Sequence, residues 1–123
     1  MSKHDSYAYD DDHPIPNLDV IDINAVKKAG GSDLTIVVAT PLQGDRRSLE
    51  RLLRKVELYL EFIRTDAFIS ESGTPSPENT NIIVKIHADS SPLAFELLDK
   101  NKQWVKNNDA TLVVEAKQGL HYG

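Results

Sequence analysis

Apolar residues recur along this chain with a period of two in some stretches and at spacings of three and four in others, and each change of period marks an element. In residues 34–39 Leu34, Ile36 and Val38 share one face while Thr35, Val37 and Ala39 share the other, the alternation of a strand with Leu34, Ile36 and Val38 as its core side. Pro41 has no amide hydrogen to give a sheet ladder and ends that strand. Asp45 is a good N-cap, and Leu49, Leu52, Leu53, Val56, Leu60 and Ile63 then form a helical stripe, which predicts a helix over 45–64 with one face on a core.

Further segments complete the pattern. Residues 18–23 predict a first strand, followed by hairpin-loop chemistry at 27–32 with Gly30 and Gly31, so strands one and two pair antiparallel. Gly73, Pro75, Pro77 and Asn79 predict a surface loop over 70–80. Strand three spans 81–87, with Ile82, Val84 and Ile86 inward. Ser91 and Pro92 open a second helix carrying Leu93, Leu97, Leu98, Trp104 and Val105, with Trp104 packing between helix and sheet, and the helix stops at 107–109. A last strand over 111–116 turns Leu112 and Val114 inward.

The order is ββαβαβ. Right-handed crossovers place both helices on one face of a single sheet, giving an α/β two-layer sandwich of the α+β kind. The opposite face then carries Thr35, Val37, Ala39, Ile83, Lys85, His87, Thr111, Val113 and Glu115, an apolar surface for water to meet. Residues 1–16, with Asp5, Asp10, Asp11, Asp12 and two prolines, read as a flexible acidic tail; 17–117 as the single domain; and 118–123 as a short C-terminal tail.

A chain of 123 residues is long enough for one core without disulfide or metal support. The absence of cysteine removes disulfides, thiolate metal sites and cysteine nucleophiles together. A formal charge of −5 disfavours capture of nucleic acid or an acidic membrane. No signal-peptide core and no membrane-length apolar run occurs, so the default is a cytoplasmic protein.

The series Val20-Ile21-Asp22, a glycine-containing turn, Leu34-Thr35-Ile36 and a Leu-rich helix closing on Tyr59-Leu60-Glu61-Phe62-Ile63 resembles a family of small bacterial proteins of unknown function. The strand ending at His87, then Ser91-Pro92 and Phe95-Glu96-Leu97-Leu98, is similar as well. The likeness covers about residues 18–116 and consists of apolar positions and helix starts. It implies the fold and brings no activity, cofactor or catalytic residue; the Arg-rich helix start departs from the family's pattern.

That helix start is the sharpest local anomaly. Arg46, Arg47, Arg51, Arg54 and Lys55 crowd the end of a helix that already carries partial positive charge. With Gly44 and the first-turn amides, Arg46, Arg47, Arg51 and Arg54 form a candidate anion or partner site; pairing with Glu50, Glu57 and Glu61 is the plain structural reading. His87 and Asp89 make an H-x-D pair, which lacks the third ligand or nucleophile that metal binding or catalysis needs. His4, His13 and the aspartates at 10–12 match no calcium loop, and Tyr7 and Tyr9 are candidate anchors for a partner.

These residues predict a small non-enzymatic interaction protein with no cofactor and no metal. It self-associates as a homodimer through the open sheet face, represented by Val37, Ile83, His87 and Val113, and binds a protein partner. The alternative expectation is a small-anion or phosphorylated-ligand domain built on the Arg-rich helix start.

Overall fold

The structure is a computed structural model and describes residues 9–118. Its longest element forms where the three-and-four spacing places it. Helix α1 spans Arg46–Phe62, and the side chain of Asp45 accepts from the Ser48 amide as N-cap. Leu52, Val56, Leu60 and Ile63 are buried along it.

Around it stand β1 (Ile23–Val26), β2 (Ser32–Val38), α2 (Asp66–Ser72), β3 (Thr80–His87), α3 (Pro92–Lys100), α4 (Lys102–Asn107) and β4 (Thr111–Lys117). The four strands lie side by side in chain order. β1 and β2 are antiparallel, whereas β2, β3 and β4 are parallel with Leu34 opposite Ile82 and Ile82 opposite Leu112. Each parallel step is bridged by helix, so the helical layer forms on one side. Leu34, Ile36, Val38, Ile82, Val84, Ile86 and Leu112 from the sheet join Leu52, Val56, Phe68, Ala94, Leu98 and Val105 in one core. The α+β two-layer architecture is therefore as expected from the pattern.

Three local expectations are corrected. The first strand begins at Ile23 rather than residue 18, because the Asp22 amide donates to the Tyr59 hydroxyl and residues 18–22 run along α1 instead of β2. The expected 70–80 loop starts later: Thr65 caps a short helix, α2, whose Phe68 is buried against the T-shaped ring of Phe62. The second long helix is divided at Asn101, whose side-chain amide donates to the Leu97 carbonyl. The helical stretch stops at 107–109 as expected, with Asp109 just past α4 at φ of 73°, a left-handed conformation that Asp tolerates better than most residues.

The tail also ends earlier than expected. Tyr9 bridges Asn17 antiparallel, Asp10 N–H donates to the Pro16 carbonyl, and Ile15 is 2% exposed in the core. Residues 9–16 are thus part of the folded body. The reason lies on α1: its polar flank faces the 13–22 segment, where Ser48 holds the His13 ring and Arg51, Lys55 and Tyr59 satisfy backbone groups. Met1 to Ala8, which include His4 and Tyr7, lie outside the described residues, as do 119–123 of the expected C-terminal tail.

Candidate functional site

The surface left after the helices are placed is the far side of the sheet. Strand register assigns its rows. Ile23 lies opposite Thr35, Thr35 opposite Ile83, and Ile83 opposite Val113, so one predominantly apolar row crosses all four strands. Toward the amino ends of the parallel strands the next row is Asp33, Asn81 and Thr111. Toward their carboxyl ends come Val37, Lys85 and Glu115, then His87 and Lys117.

These side chains differ in accessibility. Ile23 is 49% exposed at the sheet edge, Val37, Ile83, His87 and Val113 are half-buried, and Thr35 is buried. The face is apolar along its middle and charged along both margins. At the amino-end margin Asn81 donates to the Asp33 carboxylate at 2.9 Å, and Lys27 approaches the same carboxylate at 3.2 Å. The Asn81 hydrogen bond, with Lys27 second, holds the Asp33 carboxyl below its usual range.

His87 is oriented by its own turn. Its Nδ1 accepts the Asp89 amide at 3.0 Å, so in the neutral ring the proton sits on Nε2. The H-x-D pair thus works through the backbone of Asp89, whose side chain is not the partner. Among the described residues no group of three His, Cys, Asp or Glu is placed to hold a metal ion.

The arginines at the start of α1 separate. Arg46 pairs with Glu50, Arg54 with Glu57, and Arg47 with Asp10 at 2.6 Å. Arg51 is fully buried and donates through Nε and Nη2 to the Ile15 carbonyl at 3.0 and 2.8 Å. The expected cradle is not formed: Arg51 points into the body while Arg46, Arg47 and Arg54 each have a carboxylate partner. Gly44 has another use, since a Cβ there would stand 2.5 Å from Ser91 Oγ and 3.0 Å from Leu93 Cδ1, at the opening of α3. The anion-facing end of α1 is occupied by the Asp45 carboxylate, which hydrogen bonds from the Ser48 side chain and amide hold below its ordinary pKa.

Lys55 and Tyr59 are the consequential polar residues that periodicity alone does not single out. Lys55 Nζ reaches the carbonyls of Asn17 at 2.6 Å and Val20 at 2.8 Å and the Asp22 carboxylate at 3.0 Å. Their signal is spacing: 51, 55 and 59 lie one helical turn apart beside the apolar stripe. Trp104, expected between helix and sheet, is half-buried and lines an open groove of about 580 Å³ with Glu50, Leu53, Arg54, Glu57 and Asn101.

No helix among the described residues is long and apolar enough to cross a membrane. Comparison with family models, curated proteins and solved structures finds no match, so a functional reading rests on this chain's own geometry.

Proposed function

We propose that the protein is a non-enzymatic interaction module that self-associates face to face through its open sheet surface. The observation that carries this reading is the row Ile23, Thr35, Ile83 and Val113 on the side of the sheet away from the helices. A two-fold axis along that row stacks it on its own copy. The same operation brings Lys85, on the carboxyl-end side of the row, over the amino-end side of the second copy, where Asp33 lies. The pattern is self-complementary in apolarity and in charge, as an isologous contact requires.

The size is adequate. Four strands about 4.8 Å apart, of four, seven, eight and seven residues at about 3.3 Å each, give a flat footprint on the order of 410 Å² per copy. Side-chain relief raises this toward the roughly 1,000 Å² total that a specific interface needs. Sheets packed in this way align within about 30° of each other.

Light scattering coupled to size exclusion tests the reading on the full chain. The expected mass is twice the 13.7 kDa of one chain, falling to a single chain in Ile83→Glu and in Val113→Glu while circular dichroism is unchanged. A wild-type protein that stays monomeric at high micromolar concentration overturns it. So does a dimer unaffected by both substitutions.

A further inference from the structure

At the carboxyl end of the sheet, beyond the apolar row, Lys85, His87 and Lys117 share one face. Lys85 and His87 are two residues apart on β3, and His87 is the register partner of Lys117 on β4. Together with Gln118 they line a small cavity of about 170 Å³ whose other walls are Val37, Val38 and Ala39. The lining therefore has two ammonium groups, one imidazole and one amide.

We propose that this cavity binds a phosphoryl group. The first argument is charge: two lysines line the cavity, Glu115 stands 3.5 Å from Lys117 Nζ, and Lys85 makes no ion pair among the described residues. The two ammonium groups, the imidazole and the amide also offer more donors than the two oxygens of a carboxylate use, which suits the three oxygens of a phosphoryl group. The second is donor direction. His87 Nδ1 is taken by the Asp89 amide, which leaves Nε2–H of the neutral ring as a donor, so the imidazole contributes a hydrogen bond without being protonated. The third is size, since 170 Å³ is about the volume of five or six waters. That admits a phosphoryl group with some hydration and excludes a whole nucleotide, so the remainder of any larger ligand extends out over the exposed end of β4.

This site does not rest on the self-association reading, although it lies on the same sheet face and shares Lys85 with it, and each has its own readout. The test is an NMR titration of the full chain with inorganic phosphate at constant ionic strength, following the backbone amides of Lys85 and Lys117. The expected result is a saturable shift, weakened at least about tenfold in Lys117→Ala, equivalent to about 1.4 kcal/mol, and likewise in His87→Phe. Acetate titrated in parallel binds more weakly. Absence of a saturable shift, wild-type affinity in both variants, or an equal response to chloride overturns the proposal. Tighter binding of acetate than of phosphate overturns the choice of a phosphoryl ligand. Failure of self-association alters the mass measured by scattering and leaves this titration readable.

Discussion

Lys55 Nζ stands 3.0 Å from the Asp22 carboxylate while its own side chain is only 2% exposed. The ammonium also serves the Asn17 and Val20 carbonyls, so one helical cation ties together three points of the chain between 17 and 22. Asp22 in turn accepts the Val37 amide at 3.1 Å, which lies past the last residue of β2 that pairs with β1. The pair therefore closes the sheet edge as well as holding the N-terminal segment on α1.

Lys55→Met keeps most of the buried stem and removes the charge. It leaves two carbonyls and a carboxylate without their donor, and the cost is expected to be about 3 kcal/mol. Urea denaturation of the two proteins measures it. A change below about 0.5 kcal/mol, the range of an ordinary surface substitution, would contradict the role assigned to this ammonium.

Tyr59 bridges the same region. Its hydroxyl donates to the Thr35 carbonyl at 2.8 Å and accepts from the Asp22 amide at 2.7 Å, so Tyr59→Phe strands one acceptor and one donor and should cost roughly 1–3 kcal/mol. Burial pushes the phenol well above the ordinary tyrosine range. Above about pH 10 the unfolded chain loses this proton and the folded one keeps it, so stability falls as pH rises further. The Phe variant should show a shallower loss over that alkaline window in denaturant titrations.

His13 gives the opposite slope at the other end of the scale. Its Nδ1 accepts the Ile15 amide at 2.9 Å, so Nε2 carries the proton of the neutral ring and donates to Ser48 Oγ at 3.0 Å. Burial first, then the nearby Arg51 and Arg47 charges, push its pKa down, against the weaker opposing pull of Asp10 and Asp45. Below about pH 6.5 the unfolded chain takes up a proton that the folded state resists, so stability present at neutral pH declines on acidification. Thermal unfolding of His13→Gln should show a smaller change in Tm between neutral and mildly acidic buffer than the wild type. Equal changes would exclude His13 as a source of that slope.

Gly31 and Gly73 both adopt positive φ, 85° and 83°, yet they sit in different surroundings. A Cβ on Gly31 would fall 2.0 Å from the Asn79 carbonyl oxygen, whereas one on Gly73 meets nothing within 4 Å. Gly73→Ala therefore carries backbone strain alone, about 1–3 kcal/mol, and Gly31→Ala adds a backbone clash of similar size. Denaturant midpoints should rank wild type above Gly73→Ala above Gly31→Ala. The reverse order of the two variants would be inconsistent with the close passage of these chains.

The reach of sequence reasoning follows the range of the forces involved. Helix α1 was legible because its apolar spacing and the Asp45 cap are local, and β2, β3 and β4 because alternation is local too. The break at Asn101 and the helix capped by Thr65 depend on single hydrogen bonds within short segments and left a weaker trace. The 9–22 segment was illegible for a physical reason: its anchors, Arg51 and Lys55, are charged residues on a helix more than 30 positions away, which composition assigns to solvent. That misplacement also produced the expected arginine cradle, because a guanidinium assumed to face water was already turned inward.

Ile15 provides the sharpest test of this N-terminal packing. Its side chain is 2% exposed within the core, and its carbonyl receives both the Nε and Nη2 hydrogens of Arg51. Ile15→Ala removes buried methyl groups and should cost about 2–5 kcal/mol, as for other buried large-to-small changes. A chain beginning at residue 18 loses the side chain and the carbonyl together, leaving the buried Arg51 deprived of the Ile15 oxygen in addition to an opened core surface. Its destabilisation should exceed that of Ile15→Ala. A solvated tail would predict that neither change moves the urea midpoint, so one pair of denaturation curves decides between a tail and a strap that the core requires.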